Sequence, residues 1–66
     1  MPPVPNIFAE DGTLLYAARH RDNDVEAIKA ATRRGVQLPQ IVVVIRADQP
    51  PRKYRVLPND FITLMD

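Results

Sequence analysis

Apolar residues in this chain fall in short runs whose period changes along the sequence, and each change marks a new element. Ile7-Phe8-Ala9-Glu10 and Thr13-Leu14-Leu15-Tyr16-Ala17-Ala18 flank Asp11-Gly12. That dipeptide suits the positive φ angles of a two-residue type I′ turn, so a β-hairpin is expected first. Leu14, Tyr16 and Ala18 share one face of the second strand, Leu15 and Ala17 the other. Apolar on both sides, this strand is expected inside the sheet. Beyond it the period lengthens. Val25, Ile28 and Thr32 with Ala27 and Ala31 form a narrow stripe at helical spacing, enough to pack on one sheet face with little side-chain volume. Asp22-Asn23-Asp24 offers N-cap candidates, and Glu26 follows Asn23 as in a capping box. Asp24 and Glu26 at the start and Arg33 and Arg34 at the end complement the helix dipole, and Gly35 can take the left-handed C′ position. The predicted helix runs from Asp24 to Arg34.

After the connector Gln37-Leu38-Pro39, Ile41-Val42-Val43-Val44-Ile45 is a β-branched run without a polar position, which predicts a strand buried on both faces. One short helix covers one face of a small sheet, so the other face of this strand is expected to meet a partner or a second copy. Arg46 to Pro51 is expected to be a loop, Lys53-Tyr54-Arg55-Val56-Leu57 a half-exposed strand, and Pro58-Asn59-Asp60 a turn. Phe61-Ile62-Thr63-Leu64-Met65 fits either an edge strand or a terminal helical turn. Three prolines among Met1 to Pro5 predict an extended lead-in, a tail or a docking arm. The expected organisation is therefore a lead-in over residues 1–5 and one α+β domain over 6–66. That domain is a small ββαββ unit, with one helix on a four-stranded, mainly antiparallel sheet.

Length sharpens this picture. With 66 residues, a chain buries only about 60% of the surface that its unfolded form exposes, so stability is expected to be marginal. Cysteine is absent, which removes disulfides and thiolate ligands and leaves association as the remaining staple. Nine Lys and Arg against eight Asp and Glu are too balanced for a polybasic clamp or an acidic mimic of nucleic acid. The N-terminus lacks the basic and apolar regions of a signal peptide, and no apolar run has the length of a membrane span. The expectation is a soluble cytoplasmic protein with no membrane contact.

Candidate chemistry is sparse. Serine, like cysteine, is missing, which leaves Thr13, Thr32 and Thr63 without a partnered base. His20 lies between Arg19 and Arg21, where like charge favours the neutral ring and no further metal ligand is near. Asp22 and Asp24 are explained by capping. Two glycines cannot build a phosphate-cradling loop. No catalytic residue, cofactor or metal is expected. Arg19, Arg21, Arg33, Arg34, Arg52, Lys53 and Arg55 are grouped in three places and are the candidates for a basic patch, with Tyr54 interleaved.

The stretch Ala31-Thr32-Arg33-Arg34-Gly35-Val36-Gln37-Leu38-Pro39-Gln40-Ile41-Val42-Val43, followed by Tyr54-Arg55-Val56-Leu57, resembles the N-terminal segment of the ParB/sulfiredoxin-like fold over about residues 25–60. In that fold a helix ends at glycine, a proline follows, and an apolar strand leads to a second strand. Where that family carries its glycine-glutamate-arginine-arginine phosphate motif, this chain has Asn59-Asp60-Phe61-Ile62. The resemblance thus implies topology and argues against nucleotide hydrolysis or sulfinic-acid reduction.

The function expected from these readings is a non-enzymatic protein-interaction module, an inhibitor or regulator of a larger complex. Its interface would be Ile41, Val42, Val43, Val44 and Ile45, with a homodimer through the sheet as one form. Its compactness suggests a phage or mobile-element origin. The alternative is a nucleic-acid-binding regulator that uses the Arg groups.

Overall fold

In the computed structural model, which describes residues 4–18 and 23–65, five antiparallel strands form one sheet in the order β2-β1-β3-β4-β5. The strands are β1 (Asn6–Ala9), β2 (Leu14–Ala17), β3 (Ile41–Arg46), β4 (Gln49–Leu57) and β5 (Phe61–Met65), and a single helix, α1 (Asp24–Arg33), lies between β2 and β3 in sequence. The α+β class is as expected, but the sheet has five strands where four were expected. The fifth is Phe61–Met65. It follows a 3-10 turn, Pro58–Asp60, in which Asn59 takes a left-handed φ of 68°, a conformation that Asn tolerates better than most residues.

The first hairpin forms at the expected place with a different turn. Gly12 has φ 95° while Asp11 is not left-handed, so the positive pair that a type I′ turn needs is not present. The Gly12 amide instead donates to the Ala9 carbonyl at 3.0 Å and the Ala9 amide to the Thr13 carbonyl at 2.8 Å. The Asp11 carboxylate accepts from the Thr13 amide at 2.9 Å. This is a longer loop closed by glycine, and the register of β1 against β2 slips between Ile7 and Phe8 so that Leu15 is left over as a bulge. Strand β2 also differs from its expected place. It is an edge strand, not an interior one, because β1 spends its other side on β3.

Helix α1 begins as its sequence dictates. Asn23 is the N-cap, its side chain accepting from the Glu26 amide at 2.8 Å. At the other end Gly35 has φ 84°, its amide donates to the Thr32 carbonyl at 3.0 Å, and the Val36 amide donates to Ala31 at 3.1 Å. These two bonds are a Schellman closure, which needs a left-handed residue at Gly35. The inner face carries Ala27, Ile28 and Ala31, all fully buried. Thr32, expected on that face, is exposed and donates back to the Ile28 carbonyl at 3.2 Å.

The core lies between α1 and one face of the sheet: Ile7, Val42, Val44 and Tyr54 meet Ala27, Ile28 and Ala31. Pro5 is fully buried, and its carbonyl accepts from the Ala18 amide at 3.1 Å, so the expected lead-in is packed at its last residue. Residues 46–51, expected as a loop, are mostly strand, with only Ala47 and Asp48 in the turn between β3 and β4. Prolines 50 and 51 fit because together they oppose the single residue Ile45 between the Val44–Arg52 and Arg46–Gln49 pairs. A bulge of this kind is where a strand tolerates missing donors.

Candidate functional site

Strand parity divides the expected interface in two. Val42 and Val44 are buried beneath α1, so Ile41, Val43 and Ile45 point to the opposite face. Cross-strand pairing extends that face into a row: Leu14, Phe8, Val43, Lys53 and Met65 lie side by side across all five strands. Ile41, Arg55 and Thr63 form a neighbouring row, and Leu57 pairs with Phe61 at its border. Leu14 is 55% exposed, Ile45 36% and Phe61 61%, while Phe8, Ile41, Val43 and Met65 are half-buried. No described element forms a layer over this face.

Among the described residues, the basic groups of the candidate patch lie on more than one surface. Lys53 and Arg55 are on the open face, and both are exposed. Arg52 has the opposite parity and acts on the Tyr54 phenol on the helix side. Arg33 and Arg34 are exposed at the C-terminal end of α1, in the layer that covers the other face. Arg19 and Arg21, like His20 and Asp22, lie outside the described residues. Lys53 is 3.9 Å from the Glu10 carboxylate, with both side chains more than half exposed, a separation and an exposure at which the pair contributes little to stability. Among the described side chains the open face thus carries two cations, Lys53 and Arg55, with Glu10 beside the first.

Beneath the helix lies a polar cluster that the sequence did not announce. Asp24, only 8% exposed, accepts from Arg46 Nε at 2.8 Å on Oδ1 and from the Tyr54 hydroxyl at 2.5 Å on Oδ2. A second Arg46 nitrogen is 2.7 Å from Oδ1. Asn23 had already capped the helix, so Asp24 is free to turn inward and tie the start of α1 to β3 and β4. Both of its oxygens are engaged, which makes it a structural clamp rather than an acid or base open to a substrate. Burial first, and the adjoining Asp24 carboxylate second, raise the Tyr54 phenol above its ordinary 10.0, while Arg52 pulls it the other way. A phenol with a higher pKa folded than unfolded keeps its full contribution below the unfolded value and loses it as pH rises through the folded one. Urea midpoints taken from about pH 9 to about pH 11 should therefore fall more steeply for the native chain than for Tyr54→Phe. Equal slopes would show that the phenol does not titrate in this way.

Among the described residues there is no group of three potential metal ligands, and no helix is long and apolar enough to cross a membrane. Comparison of the chain with protein-family models, with curated proteins and with solved structures finds no match.

Proposed function

We infer that this protein is a non-enzymatic interaction module, a regulator or inhibitor of a larger complex, and that its docking surface is the open face of the sheet. The observation that supports this reading is the apolar row Leu14, Phe8 and Val43, flanked along β3 by Ile41 and Ile45, on a face that no described element covers. Contiguous apolar surface of this kind is characteristic of binding sites. Lys53 and Arg55 in the same face specify the occupant: a protein surface that is apolar at its centre and carries carboxylates opposite the two cations. A second copy stacked on this face would bury cations in excess of the available carboxylate, which is unfavourable.

The paired substitutions Val42→Thr and Val43→Thr test it. Val42 is fully buried, so a hydroxyl there is expected to cost about 1 to 3 kcal/mol at every protein concentration. Val43→Thr should leave stability within about 1 kcal/mol and instead weaken partner binding. Capture from the native host with wild type, Val43→Thr and Arg55→Glu as baits reads this out. A protein retained by wild type and lost with both variants supports the assignment; one retained equally by all three overturns it. Because two cations share this face with exposed Phe61, nucleic acid is the second reading, and its retention would fall steeply as salt rises.

A further inference from the structure

A different surface, the free edge of β5, has properties that the open face does not. Phe61-Ile62-Thr63-Leu64-Met65 contains no charge and no proline, and its ladder with β4 has no bulge. It therefore lacks the usual devices that keep a sheet edge from pairing. β2, at the other edge, has four residues and an irregular register. On β5 the two most exposed side chains point to opposite faces. Phe61, 61% exposed, has the parity of the open face, and Leu64, 54% exposed, pairs with Tyr54 on the helix side. An occupant of the open face could cover only Phe61. A strand added at the edge covers both.

The composition of β5 suits a strand of its own sequence. A two-fold axis through Thr63 sets two copies antiparallel, with Thr63 opposite Thr63, Ile62 opposite Leu64 and Phe61 opposite Met65. The five paired positions themselves carry no charge, and the central pair can exchange hydroxyl hydrogen bonds. The sheet also supplies a recess for the side chain that most needs one. Met65 pairs with Lys53, while β4 continues back to Gln49. An open hollow beside this pair is lined by Pro51, Arg52, Lys53, Leu64 and Met65. In the Thr63-centred register, Phe61 of the partner subunit arrives directly beside Met65, at the mouth of this hollow. Aromatic carbon against a thioether is a favourable contact.

We propose that the chain forms a two-fold dimer by antiparallel pairing of β5 edges, which joins two sheets into one and seats each Phe61 in the hollow beside Met65 of the partner subunit. Both open faces then lie on the same side of the joined sheet and stay free, so this assembly stands or falls separately from the docking role of the open face. Single-cysteine variants give a clean test, because the chain has no cysteine of its own. Thr63→Cys is expected to form a disulfide-linked dimer under mild oxidation, while Val43→Cys on the open face and Leu14→Cys on the other edge are not. Sedimentation of the native chain at low micromolar concentration should give twice the 7.5 kDa of one chain. Phe61→Ala should raise the dimer dissociation constant at least about tenfold, and Thr63→Lys, which sets two ammonium groups face to face, should give a folded monomer. A native chain that is monomeric throughout, or that cross-links through position 14 or 43 in place of 63, overturns the proposal. Should Thr63→Lys not fold, the Thr63→Cys cross-link still decides.

Discussion

Replacing Asp24 with alanine is expected to cost about 3 kcal/mol, because it takes a buried acceptor from the Tyr54 hydroxyl and the paired carboxylate from Arg46. Arg46 would lose the carboxylate that accepts from it at 2.7 and 2.8 Å, and the buried Tyr54 hydroxyl would lose its acceptor. The helix would lose a favourable negative charge in its first turn as well. Arg46 lies at the end of β3 with a side chain 13% exposed, so it can swing partly toward water, which is why the lower end of the 3–5 kcal/mol range applies. A chain of 66 residues has about 3 to 10 kcal/mol of stability in total. Asp24→Ala should therefore be substantially unfolded at 25 °C or melt some ten to twenty degrees lower, at roughly 4–8 °C per kcal/mol. The decisive measurement is a double-mutant cycle with Arg46→Met by urea denaturation. Removing both charges should cost less than the two single changes added together, with a coupling of at least about 1 kcal/mol. Additive losses would mean that Asp24 and Arg46 do not act as a unit.

This cluster could not be read from the sequence, and the reason is specific. Asp22, Asn23 and Asp24 are all competent caps, and capping is a local explanation sufficient for each of them. That Asn23 would take the cap and release Asp24 inward depends on a strand end 22 residues away and a tyrosine 30 away, separations at which no periodicity carries information. A faint signal did exist. Tyr54 occupies an inward position of a strand whose neighbours are cations, and a buried phenol needs a hydrogen-bond partner.

Local chemistry, by contrast, was legible. The Asn23 cap and the Gly35 terminus are properties of a few consecutive residues, and the helix forms between them. The hairpin was legible in place but not in turn type, since Asp11 satisfies a backbone amide with its side chain instead of taking a left-handed φ. Strand order was not legible. An apolar β2 could pair on one side or two, and only the pairing of β1 with β3, some 35 residues apart, decides that it is an edge. Pro50-Pro51 reads as a breaker unless the bulge opposite Ile45 is known. The candidate face lay between these extremes. Alternation guarantees that Ile41, Val43 and Ile45 share one side and Val42 and Val44 the other, but which side is covered is settled by where α1 packs.

That packing depends on one large side chain, and the second major expectation follows from it. Of the three fully buried residues on the inner face of α1, two are Ala27 and Ala31, so Ile28 supplies nearly all the side-chain volume that the helix drives into the sheet. The alanines let the helix approach closely, and the same closeness leaves nothing to refill a void. Ile28→Ala removes three carbons from a site with no solvent exposure. The expected loss is about 3 to 4 kcal/mol, within the usual range of 2–5 for such a truncation, because the flanking residues are too short to collapse into the space. Val25, Val36 and Leu38, partly buried around the core, can close it only by shifting the helix, which would strain the Asp24 clamp at its N-terminal end. Ile28→Val should lose only about 1 kcal/mol, and Ile28→Leu, which conserves volume, less than about 1.5. Helical circular dichroism in a urea series ranks the three. Should Ile28→Ala prove no worse than Ile28→Val, the helix would be held by its clamp and its caps instead of by burial. The hydrophobic contact between α1 and the sheet would then be secondary to the polar one.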